Sequence, residues 1–366
     1  MDEALNAPVG RARGRGRGLD EPPVFSALDL GTNNCRLLIA TPSPRGFRIL
    51  DAYSRIVRLG EGLSQTGRLG DAAMERAMAA LAVCAAKIER RGVRRIRAVA
   101  TQACRAAANG AGFIDSVERE TGIRLTIITP REEAQLAVAG CLNLIDQSSR
   151  AALVLDVGGG STEMSWLDLA TTGMDAAPRP LAHWRLPIKA WLSVPIGVVT
   201  LAEQFPEGEG GETWFRSMVE AMKVEISRFT HADEFRDVFV AGDAHIVGTS
   251  GAITSLAGLH LRLPKYDRAK VDGLWMTRDE CDAVTRRLSA LSVQERAAEP
   301  CIGPERADLV MAGAAILTAV QELWPCQRVR VADRGLSEGL LLSQMSSQRR
   351  GRTRRNRGSG GRISPP

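Results

Sequence analysis

Two stretches of the chain share one pattern of apolar and polar positions. In FSALDLGTNNCRLLIA, residues 25–40, an apolar run reaches Asp29, turns through Gly31, Thr32 and Asn33, and becomes apolar again. In LVLDVGGGSTEMSW, residues 153–166, an apolar run reaches Asp156, passes three glycines and resumes as an alternating strand. Each pattern predicts a β-hairpin whose tight turn is made of glycine and small hydroxyl or amide residues. Between and after the hairpins the periodicity alternates between strand and helix. Residues 70–92 predict a helix, with Asp71 as its cap and Met74, Met78, Leu81, Ala85 and Ile88 on one face. IRAVAT, 96–101, predicts a short buried strand that delivers Gln102 and Arg105 at its end. LTIITPREEAQLAVAGCLNLI, 125–145, predicts a strand and then a helix, with Thr129 as N-cap, Pro130 first and Glu132 closing a capping box. Glu133 is left over, one step round the helix near its N-terminus, where a carboxylate ordinarily serves the helix dipole.

Further along, 243–259 reads as a strand, a turn at Gly248–Gly251 and an apolar helix from about Ala252. This is either a third anion site at a helix N-terminus or a compact βα turn. RADLVMAGAAILTAV, 306–320, predicts a helix of small residues suited to a domain interface, and 329–345 predicts a strand, a turn at Asp333-Arg334-Gly335 and a closing helix.

The hairpin turns carry the chemistry. Glycine there admits positive φ and lets backbone N–H groups converge on an anion with no Cβ in the way. Ser161 and Thr162 add hydroxyl donors, so the stretch reads as a phosphate cradle. A carboxylate beside a phosphate repels it unless a cation lies between, which points Asp29 and Asp156 toward Mg²⁺. One such turn is explained by local geometry alone. Two of them, 127 positions apart and each opening an α/β stretch, predict two similar domains facing each other across a cleft. Arg105, at a strand's C-terminal edge, is either a surface arginine or a phosphate ligand.

Composition changes this picture in three places. The 366 residues suffice for two domains of ordinary size. No apolar run has the length of a membrane helix and no secretory leader is visible, so a cytoplasmic location is expected. Seven scattered cysteines, without metal-ligand spacing, read as reduced thiols. The four histidines show no metal or triad spacing, and neither a GxSxG elbow nor a Walker loop is present. The formal charge of +6 belongs to the end of the chain: residues 344–366 hold seven arginines and no acid, and without them the rest stands at −1. Residues 10–18, GRARGRGRG, are balanced by Asp2, Glu3, Asp20 and Glu21. Both ends are expected to be disordered. The chain uses 43 arginines and five lysines, so the tails read first as composition bias and second as a contact for RNA or another polyanion.

On these residues the chain resembles the exopolyphosphatase/guanosine pentaphosphate phosphohydrolase (Ppx/GppA) family, part of the actin-like, sugar-kinase-like ATPase superfamily. The likeness runs along most of residues 25–343, through ALDLGTNNCRLLIA, VRLGEGL, AVATQACRAAANG, IITPREEAQLAVAG, LVLDVGGGSTEMSW, LSVPIGVVTLAE, VGTSGAITSLAGL, RADLVMAGAAIL and VADRGLSEGLLL. It implies an α/β fold of two ribonuclease-H-like (actin-like ATPase) domains across an interdomain cleft. Domain I would hold 24–131, completed by a closing helix at 326–343; domain II would hold 132–325; 1–23 and 344–366 would be tails. The resemblance implies hydrolysis, with Mg²⁺ or Mn²⁺, of the terminal phosphate of inorganic polyphosphate or the 5′-phosphate of pppGpp. It makes Glu133 the base, with Asp156 and Glu163 beside it, and assigns metal contact to Asp29, Asp156 and Glu163. Thr32, Asn33, Arg105, Gly158, Gly159, Gly160, Ser161 and Thr162 would bind substrate.

Longer relatives carry a further helical region, so the chain reads as the short form, which favours short polyphosphate or a nucleotide; a homodimer is a further expectation. The first loop reads GTNN where many relatives read GSNS. Two rival functions remain: an ATP-using kinase of the same superfamily, and a non-catalytic (p)ppGpp sensor or RNA-associated protein using the arginine tail.

Overall fold

The two hairpins open two sheets of the same construction. In the computed structural model, which describes residues 22–44, 46–170, 186–208, 211–229 and 233–346, the first sheet contains β1 (Phe25–Leu30), β2 (Asn34–Ser43), β3 (Gly46–Ile56), β4 (Arg95–Ala100) and β5 (Leu125–Ile127). Its order is β3-β2-β1-β4-β5. β2 lies antiparallel between β1 and β3, and β1, β4 and β5 run parallel. The second sheet contains β6 (Ala151–Val157), β7 (Thr162–Asp168), β8 (Ile188–Val194), β9 (Ala244–Thr249), β10 (Trp275–Thr277) and β11 (Arg328–Ala332). Read from β8, its order is β8-β7-β6-β9-β11, the same hairpin-and-parallel plan, with β10 added antiparallel at the edge.

The amphipathic helix forms at Asp71–Arg90, but its buried face is Ala73, Ala77, Ala80, Leu81, Cys84 and Ile88, so that of the expected face Leu81 and Ile88 join the first sheet's core while Met74, Met78 and Ala85 pack half-buried at its edge. Its cap is Gly70, and Asp71 is the first helical residue, where its charge suits the helix dipole. The second sheet is buried by a larger core that includes the Gly251–His260 and Val310–Leu323 helices. Burying each aliphatic side chain of such a core contributes about 1.5–3 kcal/mol. The Val310–Leu323 helix, expected at a domain interface, packs inside this second body. Its small residues serve close helix–helix approach there: a Cβ on Gly313 would stand 2.4 Å from the Ala252 side chain.

The closing segment also departs from expectation. Residues 326–343 do not all join domain I: β11 pairs parallel with β9 and so belongs to the second sheet. Only the helix over residues 336–346 crosses to the first sheet, where Leu336, Leu340, Leu341 and Met345 cluster with Phe25, Ala27, Leu38 and Val99. Strand hydrogen bonding holds one half, apolar burial the other. Residues 344–346 complete this helix, and the remainder of both expected tails lies outside the described residues.

The Pro130–Cys141 helix is shared between the two bodies. Leu136 joins the first sheet's cluster, while Val138 and Cys141 join the second's. It touches the closing helix backbone to backbone: a Cβ on Gly339 would stand 2.1 Å from the Leu136 carbonyl oxygen. No described helix is long and apolar enough to cross a membrane. All seven cysteines are unpaired and buried.

Candidate active site

Each hairpin turn closes in the same way. The Gly31 N–H donates to the Asn34 carbonyl at 2.8 Å, and the Gly158 N–H to the Ser161 carbonyl at 2.9 Å. These turns bring Asp29 and Asp156, at the ends of the two central strands, to a single cavity between the sheets. Asn33, Thr32, Gly158, Gly159, Gly160, Ser161, Glu133 and Glu163 line it with them. The glycines work by closeness and not by positive φ, since none of Gly31, Gly158, Gly159 and Gly160 has left-handed backbone. A Cβ on Gly159 would stand 3.0 Å from the Asn33 backbone nitrogen, and one on Gly160 would stand 2.7 Å from the Thr32 hydroxyl. Three glycines in succession therefore let the second loop seat against the first. Among the described residues, no acceptor takes the N–H of Gly159 or Gly160, which leaves both for a ligand.

Four carboxylates crowd this cavity. Burial, then the charges of Glu133 and Asp156, push Asp29 up to about 8. Burial and Glu133 push Asp156 up to about 7. Burial also raises Glu163, helped by Glu133 and Asp156, although the Ser193 hydroxyl donates to it at 2.8 Å. Glu133 is raised by burial against the pull of Arg105. One oxygen of Asp29 is buried without a hydrogen-bond partner. Buried carboxylates ordinarily are paired or coordinate a cation.

Glu133 takes its place from the helix that carries it. The Thr129 hydroxyl accepts from the Glu132 N–H at 3.2 Å and Pro130 follows, so the helix starts where the sequence requires. The capping box is only half formed, because the Glu132 carboxylate turns outward to an ion pair with Arg97. Glu133 faces inward and is 7% exposed.

Two expected substrate ligands do not line the cavity. Arg105 lies behind Glu133, donating to its carboxylate at 3.1 Å, to the Ile128 carbonyl at 2.8 Å and to Gln102 at 2.7 Å. Its donors are spent on holding the helix start and the carboxylate. Thr162 is fully buried in β7, and its hydroxyl donates to the Ile196 carbonyl at 2.7 Å.

Other residues arrive that the motifs did not single out. Arg36, opposite Asp29 on β2, lines the cavity and donates to Glu338 at 3.0 Å. Burial works against its charge, but Glu338, Asp333 and Asp29 raise its pKa above the usual value. Arg306 lies by Gly251, and Thr249, Ser250 and Gly251 complete the wall. The turn at Gly248–Gly251, readable either way from sequence, therefore borders the site. Arg36 and Arg306 are invisible among 43 arginines until the sheets place them. The two bodies are also tied at the rim. Arg58, in left-handed backbone at φ 48°, makes a bidentate pair with Asp308, both bonds at 2.9 Å. Glu203 accepts from the Gly62 N–H at 2.8 Å.

A family model described as the Ppx/GppA phosphatase family matches residues 38–348. A guanosine-5′-triphosphate,3′-diphosphate pyrophosphatase of Aeromonas salmonicida is 28% identical over 325 residues; the match covers 89% of this chain, which spans only 60% of that relative's length. Exopolyphosphatase 2 of Mycobacterium tuberculosis is 28% identical over 332 residues, covering 87% of this chain and 97% of its own. The crystal structure of the Aquifex aeolicus member of the Ppx/GppA protein family is 28% identical, covers 90% of this chain and 99% of its own, and superposes with a TM-score of 0.68.

Proposed function

As a chain that belongs to the Ppx/GppA phosphatase family, the protein is one for which we propose phosphoanhydride hydrolysis: release of the terminal phosphate of inorganic polyphosphate or the 5′-phosphate of pppGpp. The observation that carries this reading is the joint lining of one cavity by two glycine turns and by Asp29, Glu133, Asp156 and Glu163. Anion-binding N–H groups and acidic side chains in one space suit a phosphate and a cation bound together. The relatives named for pppGpp and polyphosphate cleavage support the same substrate class.

The donor set fits Mg²⁺, with Mn²⁺ as substitute. The unpartnered oxygen of Asp29 and the raised pKa values of Asp29 and Asp156 call for a positive neighbour. Among the described residues no three side chains form a ligand cage. Mg²⁺ is ordinarily held by one or two carboxylates together with water and substrate oxygens. Asp29 and Asp156, with Glu163 adjacent, would hold it, and when bound it neutralises charge on the terminal phosphates.

The chain's own residues do the rest. The N–H groups of Gly159 and Gly160, with Asn33, Ser161 and Arg306, grip phosphate oxygens and fix the terminal group for in-line attack. Glu133 orients a water and accepts its proton. Its raised pKa makes it a stronger base than an exposed carboxylate. Arg105 aims Glu133 instead of binding substrate. The expected cytoplasmic setting belongs to the same proposal and is supported by seven buried, unpaired cysteines.

The test is phosphate release with Mg²⁺ from short polyphosphate, long polyphosphate, pppGpp and ATP, with Glu133→Gln as blank. Release from polyphosphate or pppGpp that vanishes in the variant is the expected result. Release from ATP alone, or transfer to an acceptor, would favour the kinase. Binding of pppGpp without any release would favour the sensor.

A further inference from the structure

Arg36 stands directly opposite Asp29 on the antiparallel β1–β2 pair, and both side chains line the cavity. Opposite charges in that register attract, and an arginine readily takes a carboxylate with two parallel hydrogen bonds. Here the pair does not form. Among the described residues, the guanidinium of Arg36 donates to Glu338 at 3.0 Å and lies 4.0 Å from the Asp333 carboxylate. Asp29 makes no ion pair with it and keeps one buried oxygen without a hydrogen-bond partner.

Glu338 has the support to hold that guanidinium. It lies on the closing helix, three residues after Gly335, and is 3% exposed. Its Oε2 accepts from the Gly335 N–H at 2.9 Å, which fixes the side chain against the helix start. Its Oε1 accepts from Arg36 and from Arg268, each at 3.0 Å. Two guanidinium groups on one carboxylate oxygen compensate its burial.

Arg268 is anchored in turn. Its guanidinium also donates to the Asp333 carbonyl oxygen and lies 3.4 Å from the Asp333 carboxylate. The Tyr266 hydroxyl donates to that carboxylate at 2.8 Å. Asp272 accepts from the Asp333 N–H at 3.1 Å and pairs with Arg334. Residues 266–272, packed in the second body, therefore brace the turn from which the closing helix starts. Glu338 passes that brace on to Arg36 in the first sheet.

We propose that Glu338 is a positioning residue for the metal: it draws Arg36 off Asp29 and so keeps the Asp29 carboxylate open to a divalent cation. The inference rests on the reading that gives Asp29 a cation. Freed from Glu338, Arg36 has Asp29 directly across the strand pair. A guanidinium on Asp29 would occupy the oxygens that a hard cation needs, and its hold is strong in a buried site because charges attract more strongly away from water. Asp333 does not replace Glu338, since it makes no hydrogen bond to Arg36 and is itself engaged by Tyr266 and Arg268.

The experiment measures Mn²⁺ binding by electron paramagnetic resonance, without substrate, in the full-length wild type and in Glu338→Gln, Arg36→Met, the double variant and Asp29→Asn. Circular dichroism and urea unfolding establish which variants are folded. Glu338→Gln should weaken Mn²⁺ binding by about 10–100-fold. Arg36→Met, in which nothing competes for Asp29, should bind at least as tightly as the wild type. The double variant should regain that affinity, a rescue that a merely structural Glu338 would not give. Wild-type affinity in Glu338→Gln, or a double variant as weak as Glu338→Gln alone, would overturn the proposal. So would weaker binding by Arg36→Met, a comparison that holds even where Glu338→Gln does not fold. Asp29→Asn should lose the ion; Mn²⁺ binding that survives this change places the metal elsewhere and overturns the proposal as well. If Mn²⁺ binding follows the expected order but neither polyphosphate nor pppGpp is hydrolysed, the hydrolase reading fails and the role of Glu338 stands.

Discussion

Asp156 on β6 stands directly opposite Glu163 on β7, at the register position where Asp29 on β1 faces Arg36 on β2. The two hairpins are equivalent in backbone and opposite in charge: one pairs acid with base, the other acid with acid. Like charges directly opposite on antiparallel strands destabilise a sheet, and both acids have raised pKa values. A cation removes the conflict. Mg²⁺ should therefore raise the unfolding free energy of the wild type, by roughly 2.7 kcal/mol at 100 times the dissociation constant. Asp156→Asn should gain roughly 0.2–1 kcal/mol without metal and lose most of the Mg²⁺ response. Urea unfolding with and without Mg²⁺ reads both effects, and a wild type indifferent to the ion would remove the metal from the proposal.

Arg105 is predicted to act through Glu133. Its charge lowers the Glu133 pKa against burial, so its removal lets that pKa rise. Arg105→Ala should lower kcat with little change in KM and move the acidic limb of the pH–rate profile to higher pH. A large rise in KM with an unmoved profile would instead return Arg105 to the role of phosphate ligand.

The two halves of the expected capping box should separate by stability. Thr129→Ala loses the cap on the Glu133 helix, which costs about 1 kcal/mol. Glu132→Ala loses only a partly exposed ion pair with Arg97, worth roughly 0.2–1 kcal/mol. Chemical denaturation of both variants, with Glu132→Ala also assayed for retained turnover, tests the assignment.

His245 supplies a pH signature away from the cleft. Its Nε2 accepts from the Asp146 N–H at 3.2 Å, which leaves Nδ1–H to donate to the Ser149 hydroxyl at 3.0 Å. This is the neutral tautomer, and burial pushes the pKa down to about 4. The unfolded chain binds this proton near pH 6.5 and the folded chain does not. The stabilisation is thus complete above about pH 6.5 and is lost as pH falls toward about 4, up to about 3 kcal/mol. The stability difference between wild type and His245→Gln should shrink across that window. A difference constant from pH 7 to pH 4.5 would show that His245 does not titrate there.

The sequence by itself determined the local and repeated parts of this protein. The two hairpins, the Glu133 helix with its Thr129 cap and the strand before Arg105 were legible because turn chemistry, capping and apolar periodicity act within a few residues. The repetition of Asp-x-Gly made the cleft legible, and Asp29, Glu133, Asp156, Glu163 and the glycine turns do line one cavity. What the tertiary structure decided depends on which face a side chain presents and what stands opposite it. Arg105 had two destinations open and Glu132 one, the cap, and the neighbours Glu133 and Arg97 drew both elsewhere. Arg36 and Arg306 enter the site only through sheet register and helix packing. Residues 328–332 went to the second sheet because β9 offered backbone partners there, and residues 336–346 to the first because their apolar face is buried there. Long-range pairing and burial are properties of the assembled chain, and a linear pattern records only the residues that allow them.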